Sequence, residues 1–409
     1  MMDPLPTPEV PTREGPARIC LAYDCRYPVS HGGAEKWLRS LAEALASQGA
    51  QVTYLHGAGR SEEHSDGIRW VGLSETAELY SPAGVRRLLP AVRFGYRVLR
   101  YLRSHARDFD LVYVHDMPIL PVLGAWWGLR RTGTPWAVEW IEWWSARYWR
   151  SYTGPLVGTA GYLAQRLALL VTPLAVCYSD LTTRALQEAR PAMPVARLAG
   201  QASVPGGTRF DETERANLSA PQGLPLAVFL GRLVPHKRPH LAVDAVLQAR
   251  AAIPGLRLVL IGHGPEEASL RRRAAAVGEG VIIIRVGASD TEVHDALSRA
   301  SVLVHPSARE GFGLAIAEAN SLGVPVVLVA GPDNAAPDLI ELGGGITVAH
   351  PDPREISDAI VATINAGEAA RREAVTNAQR LAREHSVATS SQQLLTMARR
   401  LREGLTPLP

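Results

Sequence analysis

Two carboxylates, two cations and several glycines stand where the chain turns from an apolar run into a helical pattern. Glu310-Gly311-Phe312-Gly313-Leu314 follows the run Val302-Leu303-Val304, and the helical pattern continues through Ile316, Ala319 and Leu322 with Glu318 on it. Glycine has no Cβ and lets backbone approach a ligand, and the first N–H groups of a helix lack an intrahelical partner. Such a turn attracts anions. Eight residues separate Glu310 from Glu318, which at a rise of ~1.5 Å per helical residue sets them up to roughly 12 Å apart. A glycosidase holds its two carboxyls about 5–9.5 Å apart across one bond, so this pair better fits two carboxylates gripping different hydroxyl-bearing parts of one long ligand. The competing reading is a surface helix whose early Glu favours the dipole.

Other strand ends carry complementary chemistry. Gly231-Arg232-Leu233-Val234-Pro235-His236-Lys237 puts an Arg and a Lys on one loop, and Lys36 and Lys237 are the only lysines among 43 basic residues. A planar fork beside a compact ammonium suits a diphosphate. Gly262-His263-Gly264-Pro265 makes another tight turn, but the third glycine of a dinucleotide fingerprint is replaced by Glu267. Val286 and Gly287 close a further run, where backbone groups can meet a base. In the first half, Asp24 ends a strand-like run and Gly32-Gly33-Ala34-Glu35-Lys36 opens a helical pattern, again offering N–H groups to an anion. An ordinary turn is the plainer reading of the paired glycines. His115-Asp116 ends another run; a carboxylate there is costly to bury unpaired, which favours a polar role for Asp116, whereas His115 also reads as a buried, hydrogen-bonded histidine. Trp136, Trp140, Trp143, Trp144 and Trp149 crowd one segment with Glu139 and Glu142. Strand alternation places indole and carboxylate together on each face, a setting that suits an amine or quaternary ammonium. Stacking on sugar rings and plain packing are the alternatives.

The elements that position these residues follow from apolar patterning. Near-continuous Val/Ile/Leu runs predict strands over 18–23, 51–55, 68–73, 111–115, 136–141 and 175–179, then 226–230, 256–261, 281–286, 301–305, 324–329 and 346–348. Alternation of such runs with amphipathic helices predicts an α/β protein of two doubly wound, Rossmann-like parallel-sheet domains facing a cleft, with ligands beyond the carboxyl ends of the strands. The proline-rich residues 1–16 read as a disordered lead, 17–202 as a first α/β domain, 203–222 as a linker region, 223–385 as a second α/β domain and 386–409 as a C-terminal helix free to pack back on the first. With 409 residues, 46% of them hydrophobic, the chain has material for two cores, and a net charge of +3 gives no reason to expect nucleic acid. Three cysteines without a CxxC pair point to a reducing cytoplasm, and the scarcity of lysine beside many alanines to a GC-rich bacterial coding sequence. No run reaches the ~18 apolar residues of a membrane span. A helix over 86–107 carries Arg93, Arg97, Arg100 and Arg107 on one face and Val92, Tyr96, Leu99 and Leu102 on another, a pattern compatible with peripheral contact with an anionic membrane, although a solvated arginine face over an ordinary core stripe is the plainer reading.

Taken in order, Gly32-Gly33-Ala34-Glu35, Gly231-Arg232-Leu233 with Lys237, Ile261-Gly262-His263-Gly264-Pro265, and Pro306-Ser307 with Glu310-Gly311-Phe312-Gly313-Leu314 and Glu318 resemble the retaining, nucleotide-sugar-dependent glycosyltransferases of family four, which have the two-domain GT-B fold. The resemblance covers nearly the whole chain. It implies that Arg232 and Lys237 hold the donor diphosphate, Glu310 the transferred sugar's hydroxyls, backbone around Phe312–Leu314 sugar and phosphate, and Glu318 the ribose; Gly32, Gly33, Gly262, His263 and Val286 complete the donor side. It implies a UDP- or GDP-sugar co-substrate with no cofactor and no metal. The acceptor side is assigned to His115, Asp116, Glu139, Trp140 and Glu142, Asp116 also being a catalytic candidate, and the acceptor to a small, cationic specialised metabolite or else a lipid-linked or cell-envelope glycan. Members usually carry a His in a first-domain strand end where this chain has Glu139-Trp140-Ile141-Glu142, which leaves open a non-catalytic nucleotide-sugar-binding protein. An epimerase or phosphorylase on the same fold is the third reading. The sequence fixes neither the base, the sugar nor the oligomeric state.

Overall fold

The computed structural model describes residues 15–30, 32–75, 78–81, 84–201 and 223–407. The expected linker over 203–222 and nearly all of the expected lead over 1–16 lie outside these residues. Two separate parallel sheets form the molecule. The first comprises β1 (Arg18–Ala22), β2 (Gln51–His56), β3 (Glu62–Ser65), β4 (Ile68–Gly72), β5 (Leu111–His115), β6 (Trp136–Glu139), β7 (Ala175–Cys177) and β8 (Val195–Arg197), in the order β3-β4-β2-β1-β5-β6-β7-β8. Only the β3–β4 pair is antiparallel. The second comprises β9 (Leu226–Leu230), β10 (Arg257–Ile261), β11 (Ile282–Arg285), β12 (Val302–His305) and, beyond the two-residue β13 (Arg309–Glu310), β14 (Val326–Val329) and, past the two-residue β15 (Asp333–Asn334), β16 (Gly345–Val348). Its order is β11-β10-β9-β12-β14-β16, with every pair parallel.

Both sheets reverse their winding once, between β1 and β5 and between β9 and β12. Ligands of doubly wound sheets bind beyond the strands at such a switch point. The runs predicted from sequence all appear as strands, most with shortened ends, while those over 51–55 and 346–348 each extend by one residue. Residues 324–329 begin pairing only at Val326, because Pro325 has no N–H and contributes only its carbonyl, to Leu303 N at 2.9 Å. Neither β3, exposed at every residue, nor the three-residue β8 carries the long apolar run that marks a buried strand.

Alternation along the strands builds a core on each side of the first sheet. Ile19 and Leu21 of β1 pack with Trp37, Leu38, Leu41 and Leu45 of α1 (Gly33–Ser47). Cys20 and Ala22 point the other way, toward Phe94, Val98 and Leu102 of α2 (Leu88–His105), Val122 and Ala125 of α3 (Leu120–Leu129), and, past α4 (Ala146–Thr153), Ala168 and Leu169 of α5 (Pro155–Val171). The last helix, Val387–Arg402, lies on the first lobe, where Leu394, Met397 and Ala398 join the α1 core. Gln48 Nε2 donates to Ser391 Oγ at 2.7 Å, and Ser390 Oγ accepts from Gly200 N at 2.9 Å while donating to Gly200 O at 2.6 Å. Leu394 is fully buried in this packing. Leu394→Ala is therefore expected to lower stability by about 2–5 kcal/mol, read from the denaturant midpoint; a loss within a few tenths of a kcal/mol would show that the helix is not part of that core.

Candidate active site

The second lobe gathers its predicted residues at the β9/β12 switch point. β9 runs into Gly231, Arg232 and a 3₁₀ turn over Pro235–Lys237. β12 ends at His305, and β13 holds Glu310 in register with Asn334 of β15. Asn334 fastens the second loop by donating to Ser307 O at 3.0 Å and Val329 O at 2.8 Å. The Lys237 ammonium and His305 Nε2, the latter at 2.6 Å, both bond to Glu310 Oε1. Burial alone pushes the Glu310 carboxyl up, but Lys237 and His305 outweigh it and hold the group well below the usual carboxylate range. Both contacts fall on Oε1, and among the described residues no hydrogen bond is made to Oε2.

Gly313 caps the helix Leu314–Ser321 with φ +106° and provides no side-chain bond, so the first N–H groups of that helix have no side-chain acceptor from the cap. A side chain at 313 would strain that backbone. Arg232 lies 6.0 Å over the Tyr80 ring and, among the described residues, makes no ion pair. The Gly262-His263 turn is tied to this loop by Leu233 N donating to His263 O at 2.8 Å, with the His263 ring exposed. Val286, 43% exposed, stands at the open outer end of β11.

Opposite, the first lobe presents α1 and the ends of β1, β5 and β6. Gly33 faces Leu314, whose Cδ1 would lie 3.2 Å from a Cβ there, so the Gly32-Gly33 turn abuts the uncapped helix of the other lobe. Glu35 folds over Gly32. The backbone also comes tight at Gly311, where a Cβ would lie within 2.5 Å of Ile141 Cγ2 and 2.6 Å of Ile141 O, a contact only glycine permits. The Ile141 backbone also draws the Asp116 carboxyl's pKa down, so that carboxyl lies close to the residue that meets Gly311.

Two acceptor-side expectations need correction. Glu139 and Trp140 are both 0% exposed, because β6 lies between β5 and β7 with both faces covered. Glu139 is saturated from within: Trp37 Nε1 donates to it at 2.6 Å, Tyr113 Oη at 3.3 Å, and His115 Nδ1 sits 2.7 Å away. Trp140 packs in the core with Cys20, Val138 and Leu169. The chain leaves the sheet after Glu139, so strand alternation does not carry these indoles and carboxylates to the cleft. Glu142 does reach it, bonded to Trp144 Nε1 at 2.9 Å and ion-paired across the lobes with Arg309 at 3.4 Å. His115 is buried against Glu139; burial pulls its pKa down, but the hydrogen bond and charge of Glu139 and the charge of Asp116 together raise it.

The site also contains residues that the sequence reading passed over. His305 shares Glu310. Arg309 spans Glu142, Asp333 at 2.8 Å and the face of Tyr148 at 4.1 Å, and Tyr148 Oη reaches His236 Nδ1 at 3.4 Å. Asp24 is neutralised by Arg86, which also donates to Tyr80 Oη at 3.0 Å. The apolar patterns gave no sign of these pairings, although His305 at a strand's carboxyl end was a legible signal. Lys36 pairs with Asp290 across the lobes, and burial raises the Glu318 carboxyl while Lys36 draws it down. Among the described residues no three His, Cys, Asp or Glu side chains cluster so as to hold a metal ion.

With this geometry in place, kinship can be stated. Residues 210–381 match the model "Glycosyl transferases group 1" and residues 32–173 the "Glycosyl transferase 4-like domain". The two segments cover most of both lobes, and the chain belongs to the group 1, family 4-like glycosyltransferases. Over 32% of its length it is 33% identical to a GDP-mannose-dependent alpha-(1-6)-phosphatidylinositol monomannoside mannosyltransferase of Mycolicibacterium smegmatis, the match spanning 36% of that protein. It is 25% identical to a D-inositol 3-phosphate glycosyltransferase of Corynebacterium urealyticum over 80% of this chain and 81% of that one. Sucrose-phosphate synthase from Thermosynechococcus elongatus superposes with a TM-score of 0.74 at 20% identity, covering 94% of this chain and 99% of the other. The fold is the two-lobed GT-B arrangement.

Asp116 yields a pH prediction. Burial pushes its carboxyl from 3.8 up to about 7, His115 only partly opposing, and Oδ1 has no hydrogen-bond partner. A carboxyl whose folded-state pKa is raised favours the fold in its protonated form, so this contribution is complete below 3.8 and is lost as pH rises through about 7. In Asp116→Asn that decline should vanish, leaving the variant more stable than the wild type at alkaline pH. Parallel stability profiles of the two proteins across this window would contradict the assignment.

Proposed function

We propose that the protein is a retaining glycosyltransferase that moves a sugar from a UDP- or GDP-sugar to a hydroxyl-bearing acceptor entering from the first lobe. The observation that carries this reading is the Lys237–Glu310–His305 cluster set beside an uncapped helix N-terminus and the unpaired Arg232, all at one switch point. Lys237 and Arg232 suit the two phosphates, and the N–H groups at Leu314 onward suit an anionic oxygen. Glu310, held ionised, accepts hydrogen bonds from sugar hydroxyls through Oε2. In the transfer, the bond from the anomeric carbon to the diphosphate oxygen breaks and its electron pair leaves with the nucleoside diphosphate. The acceptor oxygen bonds to the same carbon on the same face and passes its proton to the departing diphosphate oxygen. Charge that develops on the departing diphosphate is stabilised by cations and dipoles already in place, which is where such sites gain most of their rate. Glu318, on the helix beyond, is assigned to the ribose, and Asp116 to the acceptor side.

For the acceptor, the burial of Glu139 and Trp140 removes the feature on which a small cationic metabolite rested. Relatives named for phosphatidylinositol monomannoside and D-inositol 3-phosphate favour a polyol or lipid-borne glycan instead. Release of nucleoside diphosphate from a panel of UDP- and GDP-sugars, with and without such acceptors, tests the reading; no release from any donor would leave a binding protein.

Lys237→Ala and Arg232→Ala are each expected to cost roughly 2–4 kcal/mol in kcat/KM, and activity within twofold of wild type in both would refute their assignment to the leaving group. Glu310→Gln should lower kcat more than Glu318→Gln, since the first touches the transferred sugar and the second the ribose; the reverse order would exchange or remove these roles.

A further inference from the structure

The helices on the outer side of the first sheet turn an apolar stripe away from the core. Leu88, Leu89, Val92 and Tyr96 of α2 are exposed. On α5, Leu156, Leu163, Leu167 and Leu170 recur at helical spacing and are between 46% and 86% exposed. α3 lies between and adds Trp127 at 43%. A groove of about 340 Å³ lined by Val92, Tyr96, Leu123, Trp127 and Leu167 crosses the three helices. A surface helix ordinarily shows polar residues on that side, and a contiguous apolar patch marks an interaction site.

Charge identifies the partner. Segments 84–107, 117–138 and 143–179, which supply all three helices, contain no Asp or Glu. Arg87, Arg93, Arg100, Arg103, Arg130 and Arg166 are exposed around the stripe. The Arg130 guanidinium lies 3.8 Å over the Trp127 ring, so cation and indole occupy one spot. Two copies of this face brought together would oppose arginines with no carboxylate to pair them, and a polyanion without an apolar part would leave the leucines in water. An acidic bilayer surface satisfies both, arginines on headgroup phosphates and Leu, Val and Trp side chains at the headgroup boundary. No described helix is long and apolar enough to cross a membrane, so the contact is one of lying on the surface.

We propose that the α2–α3–α5 face docks the protein on membranes rich in acidic phospholipid. The face begins at the rim of the cleft: Arg86 N donates to Tyr152 Oη at 3.1 Å, Arg86 pairs with Asp24 beyond β1, and Leu88 and Leu156 follow directly. Docking thus brings the cleft to the lipid surface, where a lipid-borne acceptor is met. That last consequence rests on the transferase reading; the docking does not.

The test is sedimentation of the full chain with vesicles of phosphatidylcholine alone or mixed with phosphatidylglycerol, alongside binding of UDP and GDP. The protein should bind the acidic vesicles and not the neutral ones, about tenfold more weakly in ~0.5 M salt, where the Debye length is under ~5 Å. Leu163→Gln combined with Leu167→Gln, both solvent-facing, should weaken vesicle binding about tenfold with melting temperature and nucleotide binding unchanged. No binding to acidic vesicles at low salt overturns the proposal, as does equal binding by the variant, or a concentration-dependent dimer that the variant dissolves. Vesicle binding without nucleotide binding supports the docking face and counts against the transferase reading alone.

Discussion

The carboxylate of Glu310, buried between two loops of the second lobe, is the constraint on which the site depends. An ionised carboxyl out of water is tolerated only with a partner, and here two donors converge on one oxygen. Lys237 comes from the loop after β9 and His305 from the end of β12, so the bond network requires these neighbouring strands to end side by side. Asn334 and the β13–β15 pairing fix the loop from the other side. The same ring of contacts keeps the Glu310 loop beside the Arg232 loop and the helix start after Gly313. Preorganisation is therefore a result of satisfying one buried charge.

The lobes are held in register by a few specific contacts. Gly311 packs without room for a side chain against Ile141, and Arg309 binds Glu142 while stacking on Tyr148. Lys36 and Asp290 join the lobes near Glu318. These contacts lie beyond the carboxyl ends of the strands, where donor and acceptor would meet. A change in lobe separation therefore alters the geometry between Asp116 and Glu310.

Much of this was legible in the residues. Continuous Val, Ile and Leu runs identify strands covered on both faces, and glycines at helix starts identify close approaches, so the positions of Gly311, Gly313, Arg232, Lys237 and Glu310 at strand ends are legible from the residues. What the pattern misjudged was depth. Glu139 and Trp140 read as a recognition face, because alternation specifies opposite sides of a strand without saying that helices cover both. The buried Trp37, Tyr113 and His115 that saturate Glu139 come from elements up to a hundred residues away, beyond the reach of any local pattern. Arg309 was invisible for the same reason. The arginines and apolar residues of α2 were visible in sequence, but only the fold sets them beside the leucines of α5 and Trp127 to make one face.

The central claim is that the switch point of the second lobe, and not the first, holds the nucleoside diphosphate. Hydrogen exchange of the backbone amides with and without UDP or GDP tests it most directly. Slowed exchange at the loop 231–237 and at the helix start at 313–316 is the predicted result, with β5 and β6 of the first lobe unaffected. Protection confined to the first lobe, or none at either switch point with both nucleotides at saturating concentration, would contradict it.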